Sequence, residues 1–242
     1  MQDYVIVIPA RYESTRLPGK PLLDICGKSM LQRTYDQCLK AVNRNKVYVA
    51  TDDVRIQNHC EQLKIQVVMT SQDCFTGTDR VAEFAKKIPA KSYINVQGDE
   101  PLMNPDDILE TIDAVTKHPN EIVNGYAPIT SEEDYRSSSI PKVVYRPDGR
   151  LLYMSRSSIP GNKIHKFNKS WRQICVYGFP AKALEHFASC KRKTSLEDQE
   201  DIEILRFLEL GYEVRMIPLS ADSIAVDLPE DLNRVRNLIS EK

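Results

Sequence analysis

The segment Pro9-Ala10-Arg11-Tyr12-Glu13-Ser14-Thr15-Arg16-Leu17-Pro18-Gly19-Lys20-Pro21 gathers Arg11, Arg16 and Lys20 around a single acid, Glu13. Arg grips phosphate or carboxylate oxygens in bidentate fashion, and Lys acts as a point charge. Pro18, Gly19 and Pro21 restrict the loop, which lowers the ordering cost of binding an anion such as a nucleoside triphosphate. An ordinary solvated basic loop is the competing reading. A second cluster, Tyr93-Ile94-Asn95-Val96-Gln97-Gly98-Asp99-Glu100-Pro101, sets a glycine and two carboxylates at the end of an apolar run. Mg2+ takes carboxylate oxygens and keeps waters and substrate phosphates as its other ligands, so Asp99 suits it; Gly-Asp is also ordinary turn chemistry.

Three further motifs carry weaker signals. Asp227 stands before Leu228-Pro229-Glu230-Asp231-Leu232, where an acid ahead of Pro is how helices start. Taken alone, Asp227 reads as a cap, with a second metal carboxylate as the sharper alternative. In Thr76-Gly77-Thr78-Asp79-Arg80, Thr78 reads as a helix cap, or the segment as a site for a base or ribose. Glu197, Glu200 and Glu203 recur at helical spacing, as a solvated acidic face would.

Several chemistries are excluded. Gly27-Lys28-Ser29 lacks the upstream glycine of a P-loop, since Leu22 stands there, so Ser29 is expected to cap a helix. None of the 9 glycines falls in G-x-G-x-x-G. The 6 cysteines and 4 histidines form neither C-x-x-C nor H-E-x-x-H, so no zinc site is expected.

The chain as a whole is balanced: across 242 residues, 33 Lys and Arg face 34 Asp and Glu, a formal charge of −1. That argues against nucleic acid and a polybasic membrane contact as partners. The first apolar run, Val5 to Ile8, is closed by Pro9 and is too short for a secretion signal or a membrane span. Scattered thiols without such a signal fit the reducing cytoplasm.

Short apolar β-branched runs at Tyr4–Pro9, Val47–Ala50, Ile65–Met69 and Tyr93–Val96 alternate with helix-period segments around Leu31 to Val42, Val81 to Ala85 and Ile108 to Val115. The alternation predicts an α/β fold: a mostly parallel sheet with helices on both faces, binding its ligand beyond the carboxyl ends of the strands. The pattern changes between about 125 and 190. Val143-Val144-Tyr145 and Leu151-Leu152-Tyr153 flank a Pro-Asp-Gly turn, and Gln173–Phe179 is another strand candidate. This predicts a smaller, more antiparallel subdomain within a single 1–242 domain. Helices at Ala181–Ala188, Leu196–Leu210 and Pro229–Ile239 and a strand at Tyr212–Pro218 complete the pattern.

Together these motifs resemble the 3-deoxy-manno-octulosonate cytidylyltransferases, the CMP-Kdo synthetases. The matching residues are Pro9-Ala10-Arg11, Ser14 through Pro21, Gly77-Thr78-Asp79-Arg80 and Asn95 through Pro101. Ser155-Arg156, Ile159-Pro160, Tyr177-Gly178, Leu196-Glu197, Val226-Asp227 and Pro229-Glu230-Asp231-Leu232 extend the match nearly end to end. The resemblance implies a Rossmann-like nucleotidyltransferase fold with a smaller dimerisation subdomain, and a homodimer. It implies CTP contacts at Pro9, Ala10, Arg11, Arg16, Lys20, Thr78 and Arg80. It implies Mg2+ held by Asp99 and Asp227, in place of the cap at Asp227, with Arg16 and Lys20 joining them in catalysis. Sugar contacts carry over to Gln97, Arg156, Gln173, Tyr177 and Glu203.

The implied reaction joins CTP to the anomeric 2-hydroxyl of a 3-deoxy-ulosonic acid, releasing pyrophosphate, for lipopolysaccharide or capsule synthesis. The family's His-x-Gly-x-Tyr-x-Tyr-Arg reads Gln173-Ile174-Cys175-Val176-Tyr177-Gly178-Phe179-Pro180 here, and its Leu-Glu-Gln-Leu-Arg reads Ile202-Glu203-Ile204-Leu205-Arg206. Those departures point to a modified acid such as an 8-amino-8-deoxy analogue. A cytidylyltransferase for a sialic acid and a catalytically silent nucleotide-binding protein are the rival readings.

Overall fold

A computed structural model describes residues 1–14 and 16–241, so Thr15 of the first motif lies outside the described residues. The chain begins β1 (Gln2–Ala10), β2 (Asp24–Ile25), β3 (Lys28–Ser29), α1 (Met30–Ala41), β4 (Val47–Thr51), α2 (Val54–Gln62) and β5 (Val67–Met69). It continues α3 (Gly77–Lys87), β6 (Ala90–Val96), α4 (Pro105–Lys117), β7 (Ile122–Ile129) and α5 (Glu132–Arg136). The hairpin β8 (Lys142–Tyr145) and β9 (Leu151–Ser155) precedes β10 (Ser170–Pro180) and α6 (Ala181–Ser189). Last come α7 (Ser195–Glu200), α8 (Ile204–Glu209), β11 (Val214–Pro218) and α9 (Pro229–Ser240).

The main sheet runs β11-β7-β10-β6-β1-β4-β5. Only β10 runs against its neighbours on this path; the other pairings are parallel. Side chains alternate across a strand, so the continuously apolar β1 feeds two cores at once. Val5 and Val7 pack with α3, α6 and α8 through Val81, Phe84, Leu184 and Phe207. Ile6 and Ile8 pack on the other face with α1, α2 and α4 through Leu31, Ile56 and Ile108. This is the mostly parallel α/β sheet, covered on both faces, that the alternation predicts.

A third, smaller core ties the two ends of the chain together. Leu17, Ile25 and Met30 pack against Val226, Leu232 and Val235, seating α9 beside the β2–β3 hairpin. The first loop is thereby held against the segment that carries Asp227.

Residues 125–190 contain the β8–β9 hairpin, which joins the edge of β10 through Arg172 and Trp171. Further along β10, Val176–Pro180 pairs with β6 inside the main sheet. One local expectation is corrected. The segment 196–210 forms two short helices instead of one, because Asp201 adopts a left-handed backbone (φ 51°) that ends α7. Helix α2 was not read from the sequence: Ile56 and Cys60 alone face the core in its nine residues, too few for a clear periodicity.

Candidate active site

The carboxyl ends of β1 and β6, the first loop, the start of α3 and the α7–α8 junction surround a cleft of about 290 Å3. Gly98 shapes its floor. A Cβ there would lie 2.9 Å from the Pro9 carbonyl oxygen, so only glycine lets the β6 turn approach the end of β1 so closely. Thr34 of α1 fixes the same turn by donating its hydroxyl to the Gly98 carbonyl at 3.2 Å. Gly98→Ala is expected to displace the neighbouring Asp99 and lower kcat/KM at least tenfold, since small misplacements of reacting groups are costly. Steady-state kinetics beside a thermal melt checks this; unchanged kinetics would show that the turn tolerates a side chain.

Lys20 is the hub of the cleft. Its ammonium donates to Asp99 Oδ2 at 2.7 Å, to Asp227 Oδ1 at 3.1 Å and to the Val226 carbonyl at 2.9 Å. Burial opposes its charge, but the two carboxylates outweigh that and hold the ammonium above its ordinary pKa. Arg16 reaches the same Asp227 oxygen at 3.1 Å from the exposed side. The Val226 amide bonds the Asp99 carbonyl at 2.9 Å, which sets the C-terminal segment beside the end of β6.

Asp227 does not cap α9. Asp231 takes that role, accepting from the amides of Asp227 and Leu228 at 3.0 and 2.9 Å, and the Asp227 carboxylate is left for the cleft. Next to Asp99, Glu100 is buried and accepts from the Ser223 hydroxyl. Burial, with the Asp99 charge beside it, pushes its carboxyl up to about 8, so near neutral pH it is mostly uncharged. Negative charge is thus concentrated on Asp99 and Asp227, two hard oxygen donors already sharing one cation. That donor set fits Mg2+, which binds through one or two carboxylates and takes its remaining ligands from water and substrate phosphate. Among the described residues, no group of three or more His, Cys, Asp or Glu is placed to form an all-protein metal cage.

The start of α3 differs from expectation. Thr76, not Thr78, caps the helix in a reciprocal box with Asp79. Thr78 is buried and gives its hydroxyl to Glu203, whose carboxylate also accepts the amides of Gly77 and Thr78 at 3.1 and 2.9 Å. A helix N-terminus favours an anion, and Glu203 supplies it from the chain itself. Burial raises its pKa against these hydrogen bonds.

Nor is the acidic run solvated. Glu197 is 1% exposed and is gripped by Arg206 at 2.5 and 2.6 Å, while Arg206, 0% exposed, also reaches Asp79 at 2.8 Å. Glu200 accepts from Ser155 Oγ and the Arg156 amide at 2.6 and 2.8 Å. The break at Asp201 turns each of the three acids to a different partner, which helical spacing alone did not reveal.

Of the residues singled out from the sequence, Pro9, Ala10, Arg11, Arg16, Lys20, Arg80, Gln97, Asp99, Glu203 and Asp227 line the cleft. Arg80 forms part of its wall with its guanidinium on Asp52 at 3.1 Å and on Thr70 Oγ1 at 2.5 Å. Thr78, Arg156, Gln173 and Tyr177 do not line it. The Arg156 guanidinium is taken up by the carbonyls of Ser138, Glu200 and Asp201. Gln173 donates to Asn124, which in turn bonds the carbonyls of Ile174 and Val176 where β10 slips register against β7. Tyr177 is buried and stacks on Phe179. Phe75, Lys193 and Asp201 line the cleft without having been read from the sequence. Lys193 and Asp201 flank the Leu196-Glu197 and Ile202–Arg206 segments without belonging to either, and only the fold shows that they face the cleft.

A family model described as Cytidylyltransferase matches residues 5–216. A 3-deoxy-manno-octulosonate cytidylyltransferase of Protochlamydia amoebophila is 38% identical over 98% of this chain and 94% of its own length. The chain belongs to the 3-deoxy-manno-octulosonate cytidylyltransferase family. Within it, an 8-amino-3,8-dideoxy-manno-octulosonate cytidylyltransferase of Shewanella oneidensis is 37% identical over 96% of each chain. A CMP:2-keto-3-deoxy-manno-octonic acid synthetase solved in complex with CTP superposes with a TM-score of 0.92, at 34% identity over 99% of both chains. This member of the family is therefore a cytidylyltransferase with the nucleotidyltransferase α/β fold. No helix among its described residues is long and apolar enough to cross a membrane.

Proposed function

We propose that the enzyme transfers the cytidylyl group of CTP to the anomeric 2-hydroxyl of a 3-deoxy-ulosonic acid, Kdo or its 8-amino analogue, with Mg2+ as cofactor. The observation that carries the reading is the Lys20 ammonium set between Asp99 and Asp227 at the mouth of a strand-end cleft. When bound to these two carboxylates, the metal would neutralise charge on the α-phosphate. The rest of the chemistry falls to the chain's own residues. Arg11, Arg16 and Lys20 bind the triphosphate, and Arg16 and Lys20 stabilise charge gathering on the departing pyrophosphate. Pro9, Ala10 and the start of α3 shape the nucleotide side, with Thr78 and Arg80 holding that wall. Gln97 and Glu203 meet the sugar, while Arg156, Gln173 and Tyr177 fix the elements around it. Held in line, the 2-hydroxyl attacks the α-phosphorus and gives up its proton to solvent as one P–O bond forms and the bond to pyrophosphate breaks.

Similarity to relatives named for Kdo and for 8-amino-Kdo supports either acid. A place in lipopolysaccharide synthesis in the cytoplasm, with CTP and the sugar acid as partners, is part of the same proposal. The extension around the β8–β9 hairpin, which exposes Leu152 and Ile164, is the surface we assign to a homodimer. The substrate is tested by pyrophosphate release from CTP with Kdo, 8-amino-Kdo and a sialic acid, each with and without Mg2+. Release with one of the two octulosonic acids and loss of it on chelation is the expected pattern. Preference for the sialic acid, or no release with any sugar, would overturn the assignment.

A further inference from the structure

The α7–α8 junction presents an ammonium–carboxylate pair, Lys193 with Asp201, to the cleft. Asp201, whose left-handed backbone makes the break, leaves its side chain 72% exposed. The Lys193 ammonium donates to its Oδ1 at 2.6 Å, and Arg156 Nη2 stands 3.9 Å from Oδ2 while bonding the Asp201 carbonyl at 3.0 Å. Lys193 holds the Asp201 carboxyl below its usual range, with the charges of Arg156 and Arg11 adding to the effect. Lys193, Asp201 and Arg11 all line the same cleft as Asp99 and Asp227. One carboxylate thus faces several cations, of which Lys193 is a flexible ammonium 25% exposed in its side chain.

We propose that Lys193 is a substrate-binding residue whose ammonium leaves Asp201 to pair with the carboxylate of the sugar acid. Asp201 is the internal stand-in for that carboxylate: it keeps the ammonium at the cleft wall until substrate arrives. The exchange needs no further cation, because the ammonium passes from one carboxylate to the other and the Asp201 carboxylate is released to water. It also explains why an exposed carboxylate is held at a helix break, where its side chain can swing into water once released. Triphosphate binding draws on Arg16 and Lys20 of the first loop, which leaves the junction cation for the second substrate. The inference rests on the reading that the second substrate is an acidic sugar.

The test compares wild type with Lys193→Met, Lys193→Arg and Asp201→Asn in steady-state kinetics, varying CTP and the sugar acid separately. Direct binding of the sugar acid is followed by calorimetry with a non-hydrolysable CTP analogue present. Lys193→Met is expected to raise KM for the sugar about tenfold and weaken its binding to match, with KM for CTP within twofold of wild type. Lys193→Arg restores most of the loss. Asp201→Asn, which suits a left-handed backbone, frees the ammonium and lowers the sugar KM. An unchanged sugar KM in Lys193→Met, or a rise confined to CTP, overturns the proposal while leaving the enzyme's function standing. If wild type neither binds nor uses any sugar acid, the functional reading fails and this inference falls with it.

Discussion

Asp99→Asn is expected to lower kcat for pyrophosphate release by about a thousandfold, roughly 4 kcal/mol of transition-state stabilisation. The substitution keeps the shape of the side chain and removes its charge, halving the negative charge that Asp99 and Asp227 present together. Lys20 would keep its bonds to Asp227 and to the Val226 carbonyl, so the loop stays seated. The ion pair lost lies partly in solvent, where such pairs contribute little to stability, and the melting temperature should move by only a few degrees. Kinetics and a thermal melt on the same preparation separate the two effects. Near-normal turnover would show that Asp99 is a turn residue and not a metal ligand. A collapse of the melting temperature would show that its role is in folding.

Arg206→Met acts in the opposite way, on the fold before the chemistry. The Arg206 guanidinium is wholly buried, sits over the Phe187 ring at 3.7 Å and bonds both Glu197 and Asp79. Burial opposes its charge, yet the hydrogen bonds and charges of Glu197 and Asp79 hold its pKa above the ordinary arginine value. Methionine fills much of the space but leaves two carboxylates without a counterion. Breaking a buried pair from one side costs about 3–5 kcal/mol, enough to lower the melting point by roughly 10 °C. The chain of contacts from α8 through Asp79 to the Thr76 cap would also loosen the start of α3, where Thr76 and Gly77 line the cleft. Chemical denaturation reads the first effect. A variant as stable as wild type would mean that Glu197 and Asp79 find other partners or protonate without penalty.

How much of this was readable in advance depended on whether a feature was local. The strands β1, β4 and β6 are apolar runs closed by Pro, Gly or Asp, so both their existence and their role at the centre of the sheet follow from the residues. The basic first loop and Asp99 were legible for the same reason: each is a short segment directly after a buried strand. At Asp227 the local pattern alone reads as a helix cap, because Asp227 and Asp231 are both acids at a helix start. The family resemblance, not the spacing, directs Asp227 to the cleft, where the fold places it.

The acidic run at Glu197, Glu200 and Glu203 was misread for a related reason. Its destination depends on one left-handed residue, Asp201, and on partners far along the chain: Arg206, Ser155 and Gly77. Gln173 reads as a departure in the sugar pocket, yet its amide serves the irregular pairing of β7 and β10 through Asn124. Pairings of that kind leave no mark on spacing or composition.

Formation of a CMP-sugar is the most direct consequence of cytidylyl transfer in this cleft. Incubation of CTP, Mg2+ and an octulosonic acid with the enzyme, followed by phosphorus NMR, should show a CMP-sugar resonance appearing in equal amount with pyrophosphate. The signal should vanish when Mg2+ is chelated or the sugar is left out. Pyrophosphate appearing with free CMP alone, or a CMP-sugar formed equally well after chelation, would contradict cytidylyl transfer at a metal held by Asp99 and Asp227.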